Sequence, residues 1–529
     1  MSSESFLPPG ARNQTEVFAV HGADPEVLAY AMAKYSRSAL SMRDSLSEIN
    51  SLRAEQFLNT FYFQYGHRSI ADLAHVALAV ERLSLLAAIV LVDEQRWDGQ
   101  ERSTRYQNFV KSGWYFPDFG ADSTSAQLYS ETITNLFAVY QKTTAEVLEA
   151  LRRRVPCPES MRPEAYERTL KARAFDVARY LLPLATNTSL GQITNARTLE
   201  TQVSRLLSHS VAEVRDLGAK LREAAIGPAW NVNGQAGQTL VEKLNQTDAG
   251  LAAKAADLLN REVCSAPTLV KYAQPSDYEI QTRAELAQAA VEVLAKQPIA
   301  AAPMVDLVER TETLEVELAS TLLYSASHHP YRQIRNLVAA LPEARVNEIL
   351  ELGLRHRGHH DEALRAFHAG AALRFDILMD IGGFRDLHRH RRCTQIIQTF
   401  TSRHGYEVPA SGDLGPGEDI LAEAGILAGF QAALDNAHAA SNRIAAKPAP
   451  EATQSALYLL PLATRIRSLF KMDFAEAQYI IELRSGPAGH FSYRRVAWEM
   501  FLALKNQYPA LADHIRVTDY TRPIDFLQR

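Results

Sequence analysis

Cysteine is nearly missing from this sequence: Cys157, Cys264 and Cys393 are the only three among 529 residues. Odd in number and far apart, they offer neither a disulfide framework nor a CxxC metal site, and a reducing, cytoplasmic setting is expected. Long hydrophobic runs are also lacking. No stretch of about 18 apolar residues occurs, so no membrane span is expected, and the apolar segment 83–92 is short enough for a core helix. Residues 1–14 are polar, contain Pro8-Pro9-Gly10, and lack the apolar centre of a secretory signal. Nor is there an excess of positive charge. The 56 Lys and Arg face 61 Asp and Glu, a formal net charge of −5, which argues against a non-specific nucleic-acid binder. At 47% hydrophobic and 22% charged the composition is that of an ordinary globular protein, and its length predicts two to four domains.

What the sequence does contain is mostly helical periodicity. Helices are predicted over 25–35, 52–65, 69–92, 127–153, 166–182 and 198–225, with 94–108 read as a loop with a strand at its end. Pro25 suits a first helical turn, and Val155-Pro156-Cys157-Pro158 punctuates the chain. From residue 227 the character shifts. Gly227-Pro228, Gly234 and Gly237 mark a loop, and Ala-rich helices follow over 247–262 and 282–296. A second helical series starts near residue 305 and includes a largely apolar helix over 371–384.

That second series echoes the first. Tyr35-Ser36-Arg37-Ser38 recurs as Tyr324-Ser325-Ala326-Ser327, and Gly66-His67 as Gly358-His359. Tyr180-Leu181-Leu182-Pro183-Leu184-Ala185-Thr186 recurs without change as Tyr458-Leu459-Leu460-Pro461-Leu462-Ala463-Thr464. Either short match alone is a coincidence. The seven-residue identity in the same order points to a tandem duplication.

Two stretches stand out chemically. His388-Arg389-His390-Arg391-Arg392 packs three guanidiniums and two imidazoles into five residues. Read alone it is an ion-pair cluster or solvated face, or an anion site whose arginine forks match phosphate oxygens. Gln100-Glu101-Arg102-Ser103-Thr104-Arg105-Tyr106-Gln107 is either a surface loop or a polar turn suited to a phosphate and a sugar.

Together these fragments resemble the flavin-dependent thymidylate synthases. That family carries Arg-His-Arg-x7-Ser, preceded by a Gly-His-x-Ser/Thr helix start and followed by Ala-Arg-x-x-Leu-Pro, Asn-Ala-Arg-Ser/Thr-Leu and a late Leu-Arg. The first repeat supplies Gly66-His67-Arg68-Ser69, Glu101-Arg102-Ser103-Thr104-Arg105-Tyr106, Ala178-Arg179-Tyr180-Leu181-Leu182-Pro183 and Asn195-Ala196-Arg197-Thr198-Leu199. The second supplies Gly358-His359, Arg389-His390-Arg391, Leu460-Pro461 and Leu483-Arg484, with 482–509 resembling the family's terminal helix. The departures are complementary. The first repeat has Asp93-Glu94-Gln95 in place of Arg-His-Arg, and Leu206 in place of the late arginine with Arg205 one place off. The second has Ile397-Gln398-Thr399-Phe400-Thr401 in place of Glu-x-Ser-x-Arg, Leu457 in place of the early arginine, and Asp473-Phe474-Ala475 in place of Asn-x-Arg. Asp386 stands where the family has a neutral Gln that contacts the nucleotide.

The resemblance implies an α+β, predominantly helical fold: two tandem synthase-like domains forming a pseudo-dimer, with repeats at 1–227 and 304–529 and a helical connector at 228–303. It implies reductive methylation of dUMP, or a related pyrimidine nucleotide, using FAD, NADPH and methylenetetrahydrofolate at one site built from both repeats. Arg484 would be the catalytic group at the pyrimidine edge. Glu101, Ser103, Thr104, Arg105, Arg179 and Asp386 would bind substrate, and Ser69, Asn195, Arg197, Arg389, His390 and Arg391 the flavin. No metal and no nucleic-acid or membrane partner is implied, and a homodimer of fused repeats would replace the family's tetramer. Two other readings compete: a non-catalytic nucleotide- or flavin-binding descendant, and a metal-dependent HD-type phosphohydrolase using His359-His360-Asp361-Glu362 with His356, His368, His388 and His390 nearby.

Overall fold

The computed structural model describes residues 18, 20, 22–34, 42, 46, 68–294, 297–309, 312–358, 361, 363–367, 373–409, 420–449, 451–513, 515–522, 525 and 527. The predicted helix 52–65, Tyr35-Ser36-Arg37-Ser38, Gly66-His67 and His359-His360 lie outside these residues. Two compact units form. One comprises Met1–Val76, Asn195–Leu199 and Glu223–Tyr272; the other comprises Ala77–Thr194, Glu200–Arg222 and Ala273–Arg529.

In the smaller unit, helix Pro25–Lys34 carries a buried Glu26 whose Oε1 accepts from the backbone N–H of Thr268 (2.8 Å) and Leu269 (2.7 Å). The glycines read as loop markers instead open a helix, Gly234–Asn245, which pairs with Ala249–Leu259. Gly237 permits the pairing: a Cβ there would sit 3.2 Å from that of Leu259. Asp248 caps the second helix by accepting from Leu251 N–H at 2.9 Å.

The larger unit is organised by two sheets. Strands β1 (His75–Ser84), β2 (Asp98–Glu101) and β3 (Asn187–Asn195) form one in the order β1-β3-β2. Strands β4 (Val305–Leu307), β5 (Leu373–Asp380), β6 (Thr394–Ile397) and β7 (Arg465–Met472) form the other in the order β4-β5-β7-β6, with antiparallel neighbours throughout. Two predicted helices are thereby corrected. Residues 69–92 are a 3-10 turn (Arg68–Leu73), then β1, then a short helix Leu85–Leu91; of the predicted helix 371–384, the described residues 373–384 form β5 and the start of helix Ile381–Leu387. In each case a cap residue decides where helix begins. Ser84 Oγ accepts from Ala87 N–H, and Asp380 accepts from Gly383 N–H. The apolar residues before each cap satisfy their backbone in a sheet, as β5 does along its whole length from Leu373↔Met472 to Asp380↔Arg465. A continuous apolar run does not distinguish these states.

Other elements follow the periodicity more closely. Helix Ser123–Arg154, capped by Asp122, and helix Pro163–Ala178 occupy their predicted places, the latter running into a 3-10 turn Arg179–Leu181 before Pro183. The predicted helix 198–225 is two, Ala196–Leu207 and Ala212–Ile226. The terminal segment is also two, Phe474–Ser485 and Phe491–Gln507, broken at Gly486-Pro487.

The duplicated seven-residue segments meet each other. Leu184 N–H donates to Leu460 O (2.8 Å) and Leu462 N–H to Leu182 O (2.9 Å); Ala185 N–H donates to Tyr458 O (2.9 Å) and Ala463 N–H to Tyr180 O (3.1 Å). Pro183 faces Pro461 at the centre. Each segment also receives matching bonds from its own repeat: Leu85 N–H to Thr186 O and Leu86 N–H to Leu184 O in one, Ile381 N–H to Thr464 O and Gly382 N–H to Leu462 O in the other. This reciprocal pairing is the seam of a pseudo-dimer within one chain.

Candidate active site at the seam of the two repeats

The loop after β2 is held by Arg102, whose guanidinium lies 4.1 Å from the Phe109 ring centre and donates to Ser112 Oγ (2.8 Å) and Asn108 O (2.7 Å). Inside this frame Ser103 Oγ accepts from Arg105 N–H at 3.2 Å, and Thr104 is buried. Arg105 turns inward. Its Nε and Nη2 grip both oxygens of Asp176 (2.8 and 3.2 Å), Nη2 also donates to Ala488 O (3.2 Å), and Nη1 donates to Tyr493 OH (2.9 Å). Ala488 and Tyr493 belong to the second repeat, so a first-repeat loop is completed across the seam.

Asp176 and Arg179 sit three residues apart at the end of helix Pro163–Ala178, which puts both on one face. Arg179 is 1% exposed, and its Nη1 donates to Asp386 Oδ2 at 3.2 Å. Its Nε and Nη2 are buried with no hydrogen-bond partner among the described residues. Asp386 lies on helix Ile381–Leu387 of the second repeat. Burial would raise its pKa, but Arg179, Arg105, His490 and Arg389 outweigh that and leave it lowered, so the carboxylate stays ionised. Asp380, at the N-cap of the same helix, goes the other way: burial outweighs Arg179 and raises it. A further pair, Arg385 with Glu101, joins the repeats at the edge of this corner.

The three signature residues have different surroundings. Arg389 is exposed and makes no hydrogen bond or ion pair with a described residue. His390 is buried; its Nε2 accepts from Arg484 Nε at 2.8 Å, and its Nδ1 lies 3.6 Å from Glu476. Burial lowers its pKa, and with Nε2 accepting, the imidazole is neutral with its proton on Nδ1. Arg391 lies over the Trp97 ring at 4.3 Å, and its Nε is buried with no hydrogen-bond partner among the described residues. Arg484 lies 5.4 Å from the centre of the Tyr493 ring, which links it to Arg105. Cys393 is buried, and burial pushes its thiol up to about 12, which leaves it inert.

Of the residues singled out from sequence, Arg105, Arg179 and Asp386 are thus together, with Arg484 and His390 joined to them through Tyr493. Ser69, Asn195 and Arg197 belong to the smaller unit. Ser69 lies in the turn Arg68–Leu73, Asn195 Oδ1 accepts from Thr198 N–H at 2.8 Å, and Arg197 lies 3.4 Å from Asp72. Asp176, Asp380, Tyr493 and Trp97 were not legible as site residues. Only Asp176 carried a signal, its i, i+3 spacing to Arg179. Among the described residues no group of three His, Cys, Asp or Glu could hold a metal ion, while His359, His360, Glu362 and His368 lie outside them. No described helix is long and apolar enough to cross a membrane.

The family model described as thymidylate synthase complementing protein matches residues 18–226 and, separately, 306–510. The chain belongs to that family. It is a tandem, internally duplicated and partly degenerate member of the flavin-dependent thymidylate synthases. Relatives match this chain along most of their length. A UPF0159 protein of Chlamydia muridarum is 27% identical over 94% of this chain and 91% of its own length. The UPF0159 protein Ta1429 of Thermoplasma acidophilum is 24% identical over 92% and 94%. The flavin dependent thymidylate synthase ThyX of Helicobacter pylori, solved in complex with FAD and dUMP, is 15% identical, with a TM-score of 0.26 over 38% of this chain and 89% of that one. A likeness that slight carries no argument.

Proposed function

We propose that the chain is a flavin-dependent methyltransferase of the thymidylate synthase type, acting on a pyrimidine of the dUMP class at one composite site per chain. The observation that carries this reading is the sharing of the corner between repeats. The first repeat brings Arg105 and Arg179, and the second brings Asp386, Tyr493 and the pair Arg484–His390. Arg484, backed by a neutral His390, is free to direct its remaining guanidinium donors at the ring oxygens of a pyrimidine, where charge develops during transfer. The exposed Arg389 and the Nε of Arg391, which has no hydrogen-bond partner among the described residues, fit the anionic diphosphate of FAD. When bound, the flavin supplies hydride chemistry, with NADPH as reductant and methylenetetrahydrofolate as the one-carbon donor.

The repeat boundaries at 1–227 and 304–529, the connector 228–303, the homodimer and the cytoplasmic setting belong to the same reading. The test is direct. The purified protein should carry a flavin band near roughly 450 nm and should methylate a uracil-type substrate when given methylenetetrahydrofolate and NADPH. A colourless protein that takes up no FAD contradicts the reading. A yellow protein that binds pyrimidine without turnover favours the non-catalytic descendant.

A further inference from the structure

Matching backbone bonds align the loops that follow β2 and β6. In the first repeat Arg102 N–H donates to Ser189 O (3.0 Å) and Asn187 N–H to Gly113 O (3.1 Å); in the second, Gln398 N–H donates to Arg467 O (3.1 Å) and Arg465 N–H to Gly405 O (3.0 Å). Running 398–405 where the first runs 102–113, the second loop is four residues shorter. The first closes on itself, with Arg102 stacked on Phe109 and bonded to Ser112 and Asn108. The second has cations instead. Arg465 and Arg467, two apart on β7 and so on one face of the sheet, stand where the first repeat has Asn187 and Ser189. Arg467 is 2% exposed, and its Nη1 donates to Asp376 Oδ2 at 3.0 Å. The Nε of both arginines is buried with no hydrogen-bond partner among the described residues. His404, in the loop, is buried, and its ring centre lies 6.0 Å from that of His328. His328 follows Ser327 in the turn between helices Leu314–Ser325 and Tyr331–Ala339. His404 Nε2, His328 Nδ1 and Ser327 Oγ are likewise buried with no partner among the described residues. Gln398 Nε2 ties loop to turn by donating to His329 O at 3.0 Å, which leaves its Oε1 buried and unmatched.

The carboxylates nearby do not answer these donors. Asp376 is taken up by Tyr324 OH and Tyr331 N–H (both 2.8 Å) besides Arg467, and Glu407 lies 4.0 Å from Arg465. Burial, with Arg467, His328, Arg465 and Arg403 around it, lowers the pKa of His404 to about 4; burial, with Arg403 and His329, lowers that of His328 to about 4. Both imidazoles are therefore neutral near neutral pH, and each has one N–H to offer beside the arginines. Buried donors left unmatched are costly, and guanidinium and imidazole N–H groups gathered in this way suit a small oxyanion. We propose that Arg465, Arg467, His328, His404 and Gln398 form a phosphate-binding site within the second repeat, apart from the composite corner at the seam. The Gln398 carbonyl accepts the hydroxyl that hydrogenphosphate retains and sulfate lacks.

The experiment is calorimetric titration of the full chain, in phosphate-free buffer, with inorganic phosphate, sulfate and AMP. Phosphate should bind, and about tenfold or more tighter than sulfate, which leaves the Gln398 acceptor unmatched. Arg465→Asn and His404→Ser each restore the residue of the first repeat, and each should weaken phosphate by about tenfold or more. Thermal scans without phosphate check that both variants fold; added phosphate should raise the midpoint of the native protein more than that of either variant. AMP that binds with the same losses in the two variants makes a phosphate ester the ligand, and AMP that does not bind makes it free phosphate; both outcomes support the site. No binding of phosphate by the native protein overturns the proposal. So does phosphate bound equally by the native protein and both folded variants, which puts the anion elsewhere, or sulfate bound as tightly as phosphate.

Discussion

Arg179 and Leu457 hold equivalent places in the two Tyr-Leu-Leu-Pro segments, and around them the two corners of the pseudo-dimer have gone in opposite directions. The charged residues Asp176, Asp386 and Arg484 of the first corner correspond in sequence to Gln454, Val90 and Leu206. The first corner is a ring of charges tied across the seam. In the second, Leu206 is fully buried, and Arg205, one place away, is used up locally: its Nε donates to Glu94 (2.8 Å) and its Nη2 to Val90 O (3.0 Å). The Tyr115 and Tyr458 rings pack there with centroids 4.7 Å apart, and Tyr458 OH donates to Glu213. Even the shared scaffold is mirrored. Ser84 caps its helix and donates to Glu213 at 2.6 Å, whereas in the other repeat the cap is the acid, Asp380, and the hydroxyl is Ser492. The duplicated chain keeps ion pairs across the seam in one corner, while in the other the matching late position is the buried Leu206.

This contrast can be broken most sharply by exchanging its ends. Arg484→Leu gives the retained corner the residue of its counterpart; turnover should drop about 100-fold or more because a charge-stabilising donor is lost, while denaturant midpoints stay nearly unchanged. Leu206→Ala should do the reverse, costing about 2–5 kcal/mol of stability through a core cavity with little change in turnover per folded molecule. Equal losses of turnover in both variants would erase the distinction. A second test concerns which chain supplies which half. Because Arg105 already contacts Tyr493 and Ala488 of its own chain, mixing Arg105→Ala protein with Arg389→Ala protein should restore no activity. Recovery to about a quarter of the native level, the share of intact sites in random homodimers with sites between chains, would show that the halves come from separate chains.

The smallest effect separates the two signature positions. Asp93 stands where the second repeat has Arg389. Burial would raise its pKa, yet Arg365, His388 and Arg205 bring it down to about 2. A folded-state pKa below the ordinary value of about 3.9 means the stabilisation is complete above that pH and is lost as pH falls through 2. With the side chain 26% exposed, the contribution is about 1–2 kcal/mol after allowance for solvent screening. Denaturation curves of native and Asp93→Asn protein should therefore differ by that amount at pH 6 and converge near pH 2.

How much of this could be read in the residues depends on the length scale of the cause. The duplication was legible because seven identical residues survive, and those residues form the seam, where each backbone bond has a symmetry mate. Long helices such as Ser123–Arg154 were legible from period and capping. Strands β1 and β5 were not: their apolar runs lead straight into apolar helices, and only the Ser84 and Asp380 caps mark the change. The division of arginines between repeats was plain from the motifs. What they grip was not, since Tyr493 and Ala488 lie more than 380 residues from Arg105 in sequence, and nothing local to Tyr493 announces its role.

The central claim is that one chain keeps one composite site. It is tested most directly by counting ligand sites on flavin-loaded protein of known concentration, titrating a uracil nucleoside or nucleotide to saturation. The account predicts one pyrimidine bound per chain. Two per chain, with the Leu457 corner occupied as well, would contradict it.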